Sequence, residues 1–132
     1  MRLLSWNEFD LCVKTITDLC IEKDFSGVFG FPRGGLCLAV AISHSLRVPL
    51  LNKPEPNSLV VDDVYETGQT LSQVRGIPCV TTFVWLSKVE VDWWNAVEIC
   101  DSDEWLVFPW EDPDFADQEK NYFYLTRSKK FD

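Results

Sequence analysis

The chain has 132 residues, so the length prior is one domain spanning residues 1–132, and 46% apolar residues with 14% aromatics supply a real core. That content excludes disorder over most of the chain, and a net charge of -9 makes it a poor non-specific ligand for nucleic acid or an anionic membrane. No stretch of 18 apolar residues exists to span a bilayer, and the opening acquires acidic residues too early for a secretion signal. Five widely spaced cysteines (Cys12, Cys20, Cys37, Cys79 and Cys100) read as reduced core or near-core thiols of an intracellular protein rather than a disulfide framework.

Ser5 and Glu8 have capping-box spacing, and Phe9, Val13, Ile16 and Cys20 line one helical face, which predicts a helix over 6–22. Gly27 to Phe31 is a strand-length apolar run ended by Pro32, followed by a tight turn at Arg33-Gly34-Gly35. Leu36 to Arg47 suits a helix packed on a sheet, with His44 inside it as a structural histidine. Leu50-Leu51 predicts a short strand, and residues 52–57 a plain loop.

Ser58-Leu59-Val60-Val61 predicts a buried strand that stops at Asp62-Asp63. Two adjacent carboxylates at such a place are costly, because they repel and both lose hydration. Directed outward, they can accept hydrogen bonds from a vicinal diol or hold hydrated Mg²⁺; a solvated turn opening is the plain alternative. Glu66 to Thr70 then surrounds Gly68 with the donors of Thr67, Gln69 and Thr70 and leads into a predicted helix ending at Arg75, an outline that suits a phosphomonoester. An ordinary Thr-Gly turn with a threonine cap fits the same residues. Cys79 to Leu86 predicts the next strand, with shorter ones at Val97–Cys100 and Trp105–Phe108 and a short helix or irregular cap over 114–124. From Lys88 to Lys120 no intervening positive charge accompanies eleven carboxylates, which reads as a solvated face.

Strands alternating with helices predict an α/β fold, three-layer, with a mostly parallel central sheet flanked by helices. In such a sheet, Arg33-Gly34-Gly35, Asp62-Asp63 and Glu66–Thr70 all fall beyond the carboxyl ends of strands, where sites form. The sequence carries no GxGxxG, GxxxxGK[ST] or GxSxG motif.

The run Leu59-Val-Val-Asp-Asp-Val-Tyr-Glu-Thr-Gly-Gln-Thr-Leu71 resembles the phosphoribosyl-pyrophosphate-binding signature of the type I phosphoribosyltransferases. Gly30-Phe-Pro-Arg-Gly-Gly-Leu36 resembles that family's pyrophosphate turn, and Glu104–Glu111 is similar to the closing segment of its bacterial xanthine-guanine branch. The resemblance implies transfer of a 5-phosphoribosyl group from phosphoribosyl pyrophosphate to guanine, xanthine or hypoxanthine, with Mg²⁺, in a cytoplasmic homodimer or homotetramer. It implies that Asp62 and Asp63 meet the ribose hydroxyls and, through water or substrate, the metal. Thr67, Gly68, Gln69 and Thr70 would cradle the 5-phosphate, and Arg33 and Gly34 the pyrophosphate. Trp105 would stack on the base, Leu106 would offer it backbone groups, and Glu66 would stand as proton acceptor where the family usually has aspartate.

Two further departures shape the expectation. Between Leu51 and Ser58 the chain is about twenty residues short of the family's flexible lid, so transfer could leak into hydrolysis or give way to binding alone. Where the family has a purine-reading lysine, the strand carries Trp85, with Lys88 three residues on. A non-catalytic phosphoribosyl-ligand or nucleotide-binding module, and a pyrimidine or nicotinate-like acceptor, are the competing readings.

Overall fold

A computed structural model describes residues 1–115 and Asn121; the predicted cap over 114–124 lies mostly outside these. The elements run β1 (Arg2–Leu3), α1 (Trp6–Cys20), β2 (Val28–Gly30), α2 (Gly34–Leu46), β3 (Leu59–Tyr65), a 3₁₀ turn (Leu71–Val74), β4 (Thr81–Ser87), β5 (Asn95–Ile99), β6 (Leu106–Val107) and a second 3₁₀ turn (Pro113–Phe115). They form two compact units, one of Met1–Asp10 with the chain from Asp103, the other of Leu11–Ser102.

In the larger unit, β2, β3, β4 and β5 lie side by side in that order, all parallel. Register sets Val28 to Gly30 against Leu59 to Val61, and Asp62 against Val84. Parallel strands bury both faces, which explains their near-continuous Val, Leu and Phe content. Helix α2 packs on β2 and β3. The approach is so close that a Cβ on Gly30 would meet the Gly35 carbonyl and lie 2.6 Å from the Ala39 Cβ. A second cluster joins Val60 and Val84 of the sheet to Leu71, Val74 and Trp94, all buried, with Phe29, Tyr65 and Trp93 partly buried around them. Leu50 makes a single bridge to Val28 rather than a strand.

The loop 52–57 is tied to the amino edge of this sheet. Asn57 accepts the Ser26 amide just before β2 and donates to the Pro78 carbonyl before β4, at 2.9 and 3.2 Å. Ser26 Oγ also donates to the Pro56 carbonyl at 3.1 Å. The end of the shortened connection is therefore bonded at the edge opposite the strands' carboxyl ends.

Helix α1 begins with the reciprocal cap read from sequence: the Ser5 amide donates to Glu8 Oε2 at 2.7 Å and the Glu8 amide to Ser5 Oγ at 3.1 Å. It ends at Cys20, two residues early, where the Lys23 amide bonds the Cys20 carbonyl. In the smaller unit, β1, whose two residues Arg2-Leu3 carry no strand signal in the sequence, pairs parallel with β6. There Trp6, Phe9, Phe108 and Trp110 form an aromatic group, with Phe108 and Trp110 stacked at 5.2 Å.

Several expectations need correction. β3 does not stop at Val61 but runs through both aspartates to Tyr65, because β4 continues to pair with it as far as Ser87. The helix expected up to Arg75 is a four-residue 3₁₀ turn, since only five residues separate Thr70 from Gly76. β4 starts at Thr81, because Cys79 takes a left-handed φ of 58° that extended backbone cannot use. Cys79 is exposed rather than near-core, whereas Cys12 is buried and its thiol pushed up to about 12 by desolvation. His44 is exposed in the last turn of α2 rather than a packed histidine; Arg47, at φ 58°, caps that turn by donating to the Ser43 carbonyl.

The close α2 contact makes a sharp comparison. Gly30→Ala should lower stability by about 1–3 kcal/mol through overpacking. Gly76→Ala, with nothing within 4 Å of a new Cβ, should lie within about 0.5 kcal/mol of the parent. Urea unfolding of both variants measures the difference.

Candidate active site

The carboxyl edge of the parallel sheet collects what β2, β3 and β4 release. β3 delivers Asp62, only 8% exposed, and Asp63. Each carboxylate folds back on the following amide: Asp63 N–H donates to Asp62 Oδ1 at 2.9 Å, and Val64 N–H to Asp63 Oδ1 at 2.8 Å. These bonds favour the charged forms but do not offset the site's cost. Burial pushes Asp62 up to about 9, helped by the neighbouring Asp63 charge. Burial likewise raises Asp63, with Glu66 close enough to add to the effect. The ligand-free pair therefore holds a proton, because two desolvated like charges side by side cannot both ionise cheaply.

From β2 the chain passes through a cis Pro32–Arg33 peptide into α2. The Gly35 amide bonds the Phe31 carbonyl at 2.8 Å and the Leu36 amide the Arg33 carbonyl at 3.1 Å, closing the turn. Gly34 lies directly on the Asp63 carboxylate, and any Cβ there would overlap it. Gly35 is equally constrained, since a Cβ would stand 2.7 Å from the Val61 carbonyl and 3.3 Å from Asp62 Oδ1. Both glycines are thus required by close approach, and the Arg33-Gly34 turn and the acid pair form one site. Arg33 itself is exposed.

After β3, Gly68 takes φ 81°, and a Cβ there would overlap the Tyr65 hydroxyl. The turn is closed by the Ser72 amide on the Gly68 carbonyl at 2.9 Å and by Ser72 Oγ on the Gln69 carbonyl, also 2.9 Å. Among the described residues, the amides of Thr67, Gly68, Gln69 and Thr70 donate to no backbone carbonyl. Consecutive undirected amides around a left-handed glycine form an anion-accepting concavity without any helix dipole, which the short 3₁₀ turn does not supply.

At the exit of β4, Trp85 is 3% exposed inside the strand, so it cannot stand at a ligand. Lys88 holds the exit instead: its amide donates to the Tyr65 carbonyl at 2.8 Å and its Nζ to the Ser102 carbonyl at 3.0 Å. Trp105 and Leu106 belong to the other unit, at β6. There the Arg2 amide bonds the Trp105 carbonyl at 2.9 Å and the Leu4 amide the Val107 carbonyl at 2.8 Å. By the alternation of a parallel ladder, Leu106 N–H and C=O point away from β1. Tyr65 lies against Gly68, Trp94 stacks on Tyr65 and Trp93 meets Arg75; no local signal in the sequence gives these three aromatics a place at the site.

The acid pair has a consequence for the free protein. A carboxyl whose folded value is raised binds more protons folded than unfolded, so stability falls as pH rises from about 4 toward about 9. Thermal melts from pH 5 to 8.5 should show that decline. Asp62→Asn should flatten it and be more stable than the parent at pH 8 by about 1–3 kcal/mol; an unchanged slope would place the pH dependence elsewhere.

No protein-family model matches the chain. It is 28% identical over 135 aligned positions to the xanthine-guanine phosphoribosyltransferase of Chromohalobacter salexigens, covering 82% of each protein. Its fold superposes on a purine phosphoribosyltransferase from Pyrococcus horikoshii with a TM-score of 0.71 and 25% identity, over 83% of this chain and 93% of that one. It also superposes on a xanthine-guanine-hypoxanthine phosphoribosyltransferase of Helicobacter pylori, with a TM-score of 0.61 and 17% identity over 87% and 92% of the two chains. The chain thus has the fold of the type I phosphoribosyltransferases and resembles their bacterial xanthine-guanine branch in sequence.

Proposed function

We propose that the chain transfers the 5-phosphoribosyl group from phosphoribosyl pyrophosphate to a purine base, guanine, xanthine or hypoxanthine, and releases pyrophosphate. The observation that carries this reading is the seating of Gly34 on the Asp63 carboxylate, with the undirected amides of Thr67–Thr70 following on the same strand's carboxyl end. One sheet edge thereby offers a diol acceptor and two anion sites at once, which a phosphorylated sugar diphosphate requires and a simple phosphate does not.

In this reading Asp62 and Asp63 accept the ribose 2- and 3-hydroxyls, whose donated hydrogen bonds replace the proton the free pair shares. Thr67, Gly68, Gln69 and Thr70 hold the 5-phosphate; Arg33 and Gly34 hold the pyrophosphate. The C1–O bond to pyrophosphate breaks as a ring nitrogen of the base bonds C1, and the base's proton passes to Glu66. Positioning and charge neutralisation supply most of the rate. Trp105 would stack on the base, Leu106 would present its outward backbone groups to it, and Lys88 would read its polar edge.

Two hard carboxylates beside a phosphate site suit Mg²⁺ that arrives with substrate and is held partly by substrate oxygens and water. Such an ion would neutralise charge on the leaving pyrophosphate. Within the described residues no helix is long and apolar enough to cross a membrane, and the reading places the chain in the cytoplasm as a dimer or tetramer. The second reading, a module of the same fold that binds the donor without transfer, rests on the shortness of the loop at 52–57, whose Pro56 and Asn57 are bonded at the opposite edge.

Pyrophosphate release from phosphoribosyl pyrophosphate with Mg²⁺ decides between them, run with each purine, a pyrimidine and no base. Base-dependent release is expected; release without base marks hydrolysis, and tight donor binding without release marks the binding module. Asp62→Asn and Asp63→Asn should each lower kcat/KM by about 100-fold, through lost charge-assisted hydrogen bonds. Glu66→Gln should lower kcat by about 100-fold with a smaller change in KM for the donor.

A further inference from the structure

The loop of Thr67–Thr70 has little to hold it in place. Among the described residues its own bonds are the two to Ser72 and the Gln73 amide on the Thr70 carbonyl at 3.3 Å, all within the turn itself, and the element that follows is one 3₁₀ turn, a poor anchor by length and geometry. Yet both ends of the segment are gripped by the same pair of side chains from the connection between β4 and β5. At its start, the Tyr65 ring lies flat on Trp94, with centroids 3.7 Å apart and planes at 12°. At its end, the Arg75 guanidinium sits over Trp93 at 5.2 Å.

The two tryptophans are themselves fixed. They meet edge to face at 5.6 Å. Trp94 is 6% exposed, packs with buried Leu71 and Val74, and donates through Nε1 to Ser87 Oγ at 3.3 Å. Ser87 Oγ in turn donates to the Val89 carbonyl at 2.6 Å, and the Lys88 amide pins the Tyr65 carbonyl. The Tyr65 hydroxyl then lies under Gly68, the residue whose left-handed conformation shapes the turn.

We infer that Tyr65, Trp93 and Trp94 are positioning residues that clamp the phosphate loop, setting its amides for a phosphomonoester. The inference rests on the function proposed above, and it assigns the clamp to the 5-phosphate alone. The Arg33-Gly34 turn is built by β2 and α2 and closed by its own backbone bonds, the Gly35 amide on the Phe31 carbonyl and the Leu36 amide on the Arg33 carbonyl, while Phe31 packs on the same cluster as Tyr65 and Trp93. The clamp therefore distinguishes two anion sites that a general loss of stability would weaken together.

Calorimetry on the full chain with ribose 5-phosphate, and separately with Mg²⁺ and pyrophosphate, tests this. Tyr65→Leu should weaken ribose 5-phosphate binding about tenfold and pyrophosphate binding less than about twofold, while Tyr65→Phe, which keeps the stack, stays within about threefold of the parent. Arg75→Gln, an exposed substitution that leaves the core intact, should weaken ribose 5-phosphate about threefold. The same variants should raise KM for phosphoribosyl pyrophosphate more than they lower kcat. Unchanged ribose 5-phosphate binding in both Tyr65→Leu and Arg75→Gln overturns the clamp while leaving the proposed function standing. Equal losses for both ligands also overturn it. A parent protein that binds pyrophosphate but not ribose 5-phosphate removes the phosphate loop, and the clamp with it.

Discussion

Everything at the carboxyl edge depends on two carboxylates being kept side by side in a buried strand. Asp62 and Asp63 sit where β3 is still paired with β4, so neither can turn fully into water. Among the described residues, the amide that follows each one donates to its carboxylate and offsets part of that cost. The unfavourable charge is therefore a property of the free protein that a ligand can relieve. Hydroxyl donors or a cation brought to the pair turn a repulsion into binding energy. The surrounding sequence is fitted to that pair: Gly34 and Gly35 lack side chains because the carboxylates and the Val61 carbonyl occupy the space.

Much of this arrangement is legible in the residues. An apolar run broken by two aspartates, a Thr-Gly turn and an Arg-Gly-Gly turn each have a local cause, and each falls at the expected sheet edge. Helix α1 begins where Ser5 and Glu8 say it should, because a capping box is a contact between near neighbours. What escaped is non-local. Nothing in Arg2-Leu3 marks a strand until Leu106-Val107 pairs with it. The end of β3 is decided by the length of β4, not by the aspartates, since a paired strand tolerates charges if their carboxylates find amides.

The aromatic residues show the same limit more sharply. Tyr65, Trp93 and Trp94 carry no local signal of a role at the site, and in part they fill the core. Their second property, holding the segment from Glu66 to Arg75 at both ends, arises only when β5 lies beside β4 and brings the connection between them over the turn. The short 3₁₀ element was likewise beyond local reading. Leu71 and Val74 have helical spacing, but five residues between Thr70 and Gly76 do not amount to two turns, and burial of those two side chains is satisfied without them.

The shortened connection at 52–57 poses the central physical problem of the site. A mobile cover raises the strength of every charge beneath it by excluding water, and this connection is bonded to the other edge of the sheet. The protein's alternative is to place the charges in dry surroundings permanently. Asp62 is only 8% exposed, and the segment that carries the Thr67–Thr70 amides is flanked by packed aromatic rings, Tyr65 on Trp94, rather than by a long helix. A preformed site of this kind sacrifices stability in the free protein, where the acid pair must carry a proton, in exchange for little reorganisation when ligand arrives. Under the proposed function its selectivity is accordingly set by the spacing of fixed groups: the acid pair in β3, the turn at Arg33-Gly34 and the loop at Thr67–Thr70.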